Sequence, residues 1–293
     1  MKKFILISIL MGLTACSTTP SQDSQYGDIG SGSGGGDSSQ SYSDAPSYEG
    51  EEKASNQAVA EEPEAPRPPP SSSHYSQLND AVKADNDEAI YKAATQILVQ
   101  APNDPRALNA LAMYHYKKGR FDLSRYLLSK ALGGQGKTSE IYSNLGIVQL
   151  AQNERREAVK SFRKALEMNS SDGVAAANLG AIYVSEKDYN KGAMVLETAY
   201  RRGVRDPRVL NNYAVALTAT GKYDQAERVY QDALKASNSN KEVLFNYAVL
   251  LVEHSQKYQQ GLEVINRLKF VGGPADTRNR IIALENKAKA GLK

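Results

Sequence analysis

From residue 105 onward, apolar, small and polar positions return with a fixed interval of 34 residues. Asn144-Leu145-Gly146 recurs as Asn178-Leu179-Gly180, Asn212-Tyr213-Ala214 and Asn246-Tyr247-Ala248, and one step back stands Ala110-Leu111-Ala112. A second small residue repeats in phase at Ala131, Ala165, Ala199 and Ala233, each preceded by three positions with a bulky one: Leu128, Phe162, Leu196, Tyr230. Each period closes on Asp104, Thr138, Asp172, Asp206 or Asn240, residues whose side-chain oxygens accept the orphan N–H groups of a helix start. Pro105 and Pro207 follow two of them, at the position where a helix tolerates proline best. Inside each period a Gly or polar turn divides two helical runs: Lys118-Gly119-Arg120, Asn153-Glu154-Arg155, Glu186-Lys187-Asp188 and Thr220-Gly221-Lys222. The pattern predicts helix–turn–helix units and an all-α chain.

The units run over 105–138, 139–172, 173–206, 207–240 and 241–275. A degenerate unit covers about 71–104, where Ala89-Ile90 and Pro102 echo a second helix and its end. The unit from Lys241 gains one residue before Tyr258. After Val271-Gly272-Gly273-Pro274 a last helix, 276–291, carries Ile281, Leu284 and Ala288 on one face and Arg278, Arg280, Lys287 and Lys289 elsewhere, the composition of a cap with a polar outer side.

Leu145, Gly146, Ala158, Phe162 and Ala165 in one unit, and Tyr213, Ala214, Tyr223, Ala226, Tyr230 and Ala233 in another, resemble the tetratricopeptide repeat. The resemblance implies a right-handed superhelical solenoid of antiparallel helix pairs, about six repeats plus the C-terminal cap, whose first helices form an inner wall that recognises a peptide or helix. Repeat phase then places a ladder of amides on that wall, Asn144, Asn178, Asn212 and Asn246, able to donate to and accept from any peptide backbone. An equally open reading has these amides bonding between repeats. Around them the same phase puts Ile147, Ala181, Val184, Val215, Phe245 and Val249, with Arg106, Asn109, Arg208 and Asn211 as further polar points. Relatives that clamp a terminal carboxylate use Lys or Arg at several such positions; here the wall is small and apolar, so the expected ligand is an apolar segment, helical or extended.

The N-terminus reads differently. Lys2-Lys3, the apolar run Phe4–Leu13 and Thr14-Ala15 before Cys16 have secretory-signal architecture over 1–15. Leu13-Thr14-Ala15-Cys16 resembles a bacterial lipobox, which implies cleavage before Cys16 and its acylation; two or more chains hold firmly where one does not. Ser17, not Asp, implies passage to the outer membrane by the enteric sorting rule. Residues 16–73 are rich in Ser, Gly, Gln, Asp, Glu and Pro, too poor in apolar area to offset ordering entropy, and read as a disordered tether ahead of a repeat domain at 74–293. Ten acidic and two basic residues lie in 17–74, a net of −8, while 32 basic and 23 acidic residues in 75–293 give +9. That asymmetry favours acidic partners and negative surfaces.

Chemistry is sparse. The single cysteine excludes an intrachain disulfide and a Cys-based metal site, and His74, His115 and His254 have no ligand spacing. Ala131 to Thr138 looks like a relaxed phosphate loop, but the mechanism needs a preceding strand, and Ala131 and Thr138 are already repeat residue and cap. No serine elbow or zinc motif occurs, and the Glu51-Glu52 and Glu61-Glu62 pairs sit in the tether. His115 takes a helical position usually held by Tyr and reads as a packing residue.

The sequence therefore predicts a non-enzymatic, periplasm-facing scaffold at the outer membrane, with no cofactor beyond covalent lipid at Cys16 and no metal or nucleic acid. Its partner would be an envelope protein offering an apolar peptide or helix, or an acidic region. Type IV pilus and secretin assembly, gliding motility and recruitment of peptidoglycan hydrolases all suit this layout. The alternative from another class is an enzyme or nucleotide binder using the 131–138 loop.

Overall fold

A computed structural model describes residues 69–134 and 136–293; the signal segment, Cys16 and nearly all of the tether lie outside the described residues. Thirteen α-helices and one π-helical turn follow one another, with no strand among the described residues: α1 Ser72–Ala84, α2 Asp87–Gln100, α3 Pro105–Lys117, α4 Phe121–Gly133, α5 Ser139–Ala151, α6 Arg155–Met168, α7 Gly173–Ser185, α8 Tyr189–Arg201, α9 Pro207–Ala219, α10 Tyr223–Ala236, α11 Lys241–Val249, α12 Tyr258–Val271 and α13 Arg278–Gly291. The first helix starts at Ser72, within the degenerate unit of about 71–104. No described helix is long and apolar enough to cross a membrane.

Local chemistry sets the boundaries. Asp104, Thr138, Asp172, Asp206 and Asn240 each accept a backbone N–H from the first turn of the helix they precede. The aspartate caps also stitch units together: Tyr75 donates to Asp104 at 2.7 Å and Ser143 to Asp172 at 2.8 Å. The turn inside each pair needs one residue in the left-handed region. It is Asp85, Gly119, Asn153, Lys187 and Gly221 at 34-residue steps, then Gln256 one residue late. The added residue of the 241–275 unit is absorbed as the π-turn Leu250–His254, where the Ser255 N–H reaches back five residues to the Leu250 carbonyl at 2.9 Å.

Packing within a pair depends on the small residue eight positions into the first helix. A β-carbon at Gly146 would stand 2.7 Å from the Phe162 ring, and one at Gly180 would stand 2.3 Å from Leu196 Cγ. The core is accordingly a row of four apolar clusters handed from unit to unit, from Leu78 to Ala288. At the end of the row the equivalent position of α13 is Glu285, held by Lys269 at 2.8 Å and Lys289 at 2.7 Å. A charged side chain thus stands where earlier first helices carry the small residue that admits their partner helix. Ile281, Leu284 and Ala288 face the core as expected.

Candidate functional site

First helices of successive pairs touch one another, α3 with α5, α5 with α7, α7 with α9, α9 with α11 and α11 with α13. No second helix has a comparable contact with the second helix of the next pair. First helices thus stand closer together than second helices, and they line the inner side of the stack.

The amide ladder divides according to what each rung finds in the preceding unit. Asn144 donates through Nδ2 to Asn109 Oδ1 at 2.8 Å, and Asn246 donates to Asn211 Oδ1 at 3.0 Å. Asn109 passes the chain on to Glu140 Oε1 at 3.3 Å. For Asn178 the corresponding residue is Ser143, already spent on Asp172, and Asn178 turns to its own helix, donating to the Val174 carbonyl at 2.9 Å with 2% of its surface exposed. For Asn212 the corresponding residue is Ala177, which has no polar atom; among the described residues the half-buried Asn212 amide has no hydrogen-bond partner. One rung is open, and it lies near the middle of the wall.

The other expected wall residues separate in the same way. Ile147, Val184 and Phe245 are enclosed, at 1%, 1% and 4% exposure, and belong to the packing between helices; Val184 lies against Gly192 of α8. Asn178, Ile147, Val184 and Phe245 therefore offer a ligand no surface, because these first helices turn two faces, not one, into neighbouring helices. Ala181, Val215 and Val249 are half-buried and flank the open rung. Arg106 and Arg208 are exposed. The Arg106 guanidinium lies 3.9 Å over the Tyr75 ring, and Arg208 donates to the Asp206 carboxylate at 2.8 Å. Burial opposes ionisation of Asp206, yet the bonds from the Arg208 side chain and backbone outweigh it and hold the carboxyl below its ordinary range. Arg208 is thus engaged by the carboxylate of its own helix cap, and the Arg106 head rests on the Tyr75 ring.

The pairing rule was legible as a 35-residue interval, Asn109 to Asn144 and Asn211 to Asn246, which the 34-residue reading passes over. His115 is 7% exposed between Tyr91 and Tyr114, edge-on to both, and its Nδ1 has no hydrogen-bond partner. Burial, then the nearby charge of Arg120, lower its pKa. Burial among Glu197 and Tyr200 pushes the Tyr213 hydroxyl up to about 12, so it stays protonated as a wall-supporting group. Among the described residues no group of three or more His, Cys, Asp or Glu is placed to hold a metal ion. The Ala131 loop ends helix α4 with no strand before it, and Thr138 caps α5.

Comparisons agree with this architecture. Family models described as tetratricopeptide repeat match residues 103–171, 143–203 and 207–250. No curated protein matches the sequence. Among solved structures, YrrB, described as a TPR protein with an unusual peptide-binding site, aligns at 18% identity over 68% of this chain and 99% of its own, with a TM-score of 0.55. A chain of the APC/C hetero-tetramer Cut9–Hcn1 aligns at 13% identity over 73% of this chain and 42% of its own, TM-score 0.53. The C-terminal part of a TPR repeat-containing protein from Cytophaga hutchinsonii aligns at 15% identity over 74% and 92%, TM-score 0.50. These identities speak to fold alone, and with the matched family models they establish that the chain carries tetratricopeptide repeats in a helical solenoid.

Proposed function

We propose that this protein is a lipid-anchored scaffold of a bacterial outer membrane whose first-helix wall holds an extended or helical segment of an envelope protein. The observation that carries the reading is the open rung. Asn212 presents an unpaired amide between the half-buried apolar residues Ala181, Val215 and Val249, where a partner backbone can supply the missing donor and acceptor while its side chains cover the apolar positions. The Asn246–Asn211 bond ties α11 to α9 beside the open rung, and Asn144–Asn109 ties α5 to α3 further along the wall, which lowers the ordering required on binding. The anchor rests on Leu13-Thr14-Ala15-Cys16 and the periplasmic orientation on the signal segment before it. Secretin or pilus assembly and gliding motility are the envelope processes this layout serves best.

A photo-crosslinking side chain at position 212 or 215 is expected to capture one defined envelope protein in living cells, and one at Met194, exposed on α8, is not. Crosslinks from 194 with none from 212 or 215 would place the partner on the outer side and refute the wall. The anchor is tested separately by metabolic labelling with palmitate, which Cys16→Ser should abolish.

A further inference from the structure

At the far end of the solenoid, a corner between α12 and α13 carries features that partner binding along the inner wall does not use. Phe270, in the last turn of α12, is 91% exposed, by far the largest exposure of any sizeable apolar side chain among the described residues. The residue before it, Lys269, lines a cleft of about 530 Å³ together with Asp276, Thr277, Arg278, Ile281 and Ile282. Ile282 is also exposed, on the first turns of α13. The final thirty residues hold seven Lys and Arg against Asp276 and Glu285, a net of +5. Among the described residues Arg278 and Lys287 make no ion pair, whereas Lys269 and Lys289 share Glu285, and Arg280 is bound by Glu253.

We propose that this corner is a docking site for the surface of an anionic phospholipid bilayer. The Phe270 ring is almost wholly exposed and is not among the residues that line the cleft. A lipid interface accepts the ring at the depth of the acyl boundary without a matching pocket. Lys269 and Arg278 at the rim of the cleft stand where headgroup phosphates would lie, and the unpaired Arg278 and Lys287 add attraction to a negative leaflet. The Gly272-Gly273-Pro274 loop that follows carries no charged side chain, with Gly272 at φ 80°. Glu285 is already neutralised by two lysines, so of the acidic groups here only Asp276 opposes the charge of Arg278 and Lys287 among the described residues.

The experiment is co-sedimentation of the full chain, carrying Cys16→Ser, with vesicles of phosphatidylcholine, or with one third of the lipid replaced by phosphatidylglycerol. The N-terminal segment and the overall charge of the repeat domain are common to every variant, so the loss on substituting corner residues, set against the control pair, isolates the corner. Binding to the anionic vesicles should be about tenfold or more stronger, Phe270→Ser should lower it about tenfold, and Arg278→Glu/Lys287→Glu should erase the difference. The charge-matched pair Lys92→Glu/Arg156→Glu, on α2 and α6, should leave most of it; circular dichroism verifies that each variant is folded. Equal binding to both vesicle types overturns the proposal, as does equal loss in the two charge-reversed pairs. It also falls if the corner variants keep vesicle binding but lose the crosslinked envelope protein, which would make the corner a protein contact.

Discussion

Gly180→Ala tests whether close approach of paired helices, rather than helix propensity, governs this fold. In an open helix the change would stabilise by about 1 kcal/mol, because alanine loses less backbone freedom than glycine. Here the new β-carbon would sit 2.3 Å from Leu196 Cγ and 2.7 Å from its Cδ2, and Leu196 is fully buried. The contact is with the branching carbon rather than a flexible tip, so α7 and α8 must part or Leu196 must leave its rotamer, at about 1–3 kcal/mol. The expected net loss is about 1 kcal/mol, or about 2–4 °C in the melting midpoint of a domain this size. Leu196→Ala alone should cost about 2–5 kcal/mol through its cavity. In the double variant the added methyl occupies part of that cavity, so the sum of the single losses should exceed the double loss by about 1 kcal/mol or more. Urea titrations of the full chain, followed by far-ultraviolet circular dichroism, measure all four corners of the cycle. A rise in midpoint for Gly180→Ala, or strict additivity, would refute the reasoning.

Two further outcomes follow from the turn and from the aromatic cage. Lys187 holds φ at 62° where Gly119 and Gly221 stand in other units, so Lys187→Gly should raise the melting midpoint by relieving about 1 kcal/mol of left-handed strain, and Gly221→Ala should lower it; equal responses would show that the turn tolerates a β-carbon. The lowered pKa of His115 means that the folded state favours the neutral ring, so its contribution is full above the unfolded value near 6.5 and is lost as pH falls from there through the folded value. Urea midpoints should drop with mild acidification, and His115→Phe should flatten that drop; an unchanged pH slope in the variant would assign it to other groups.

Much of this molecule could be read before any coordinates. The caps Asp104, Thr138, Asp172, Asp206 and Asn240 act on N–H groups two or three residues away, and interactions that short are written in the chain. The helix pairs, the extra residue before Tyr258 and the inward face of α13 followed from the same 34-residue phase. What phase could not say is which of several equivalent positions stays open. Asn144, Asn178, Asn212 and Asn246 are one position in sequence and three different environments in space, because each answers to the residue across the unit boundary: Asn109 and Asn211 bind, Ser143 is engaged elsewhere, and Ala177 has nothing to give. Likewise Ile147 shares the phase of half-buried Ala181, Val215 and Val249, and Val184 that of half-buried Leu150 and Thr218, yet both are enclosed, since burial depends on how far neighbouring helices turn toward one another. Periodicity reports the local helix and its repeat; exposure and hydrogen-bond occupancy belong to pairs of units, and only their packing decides them.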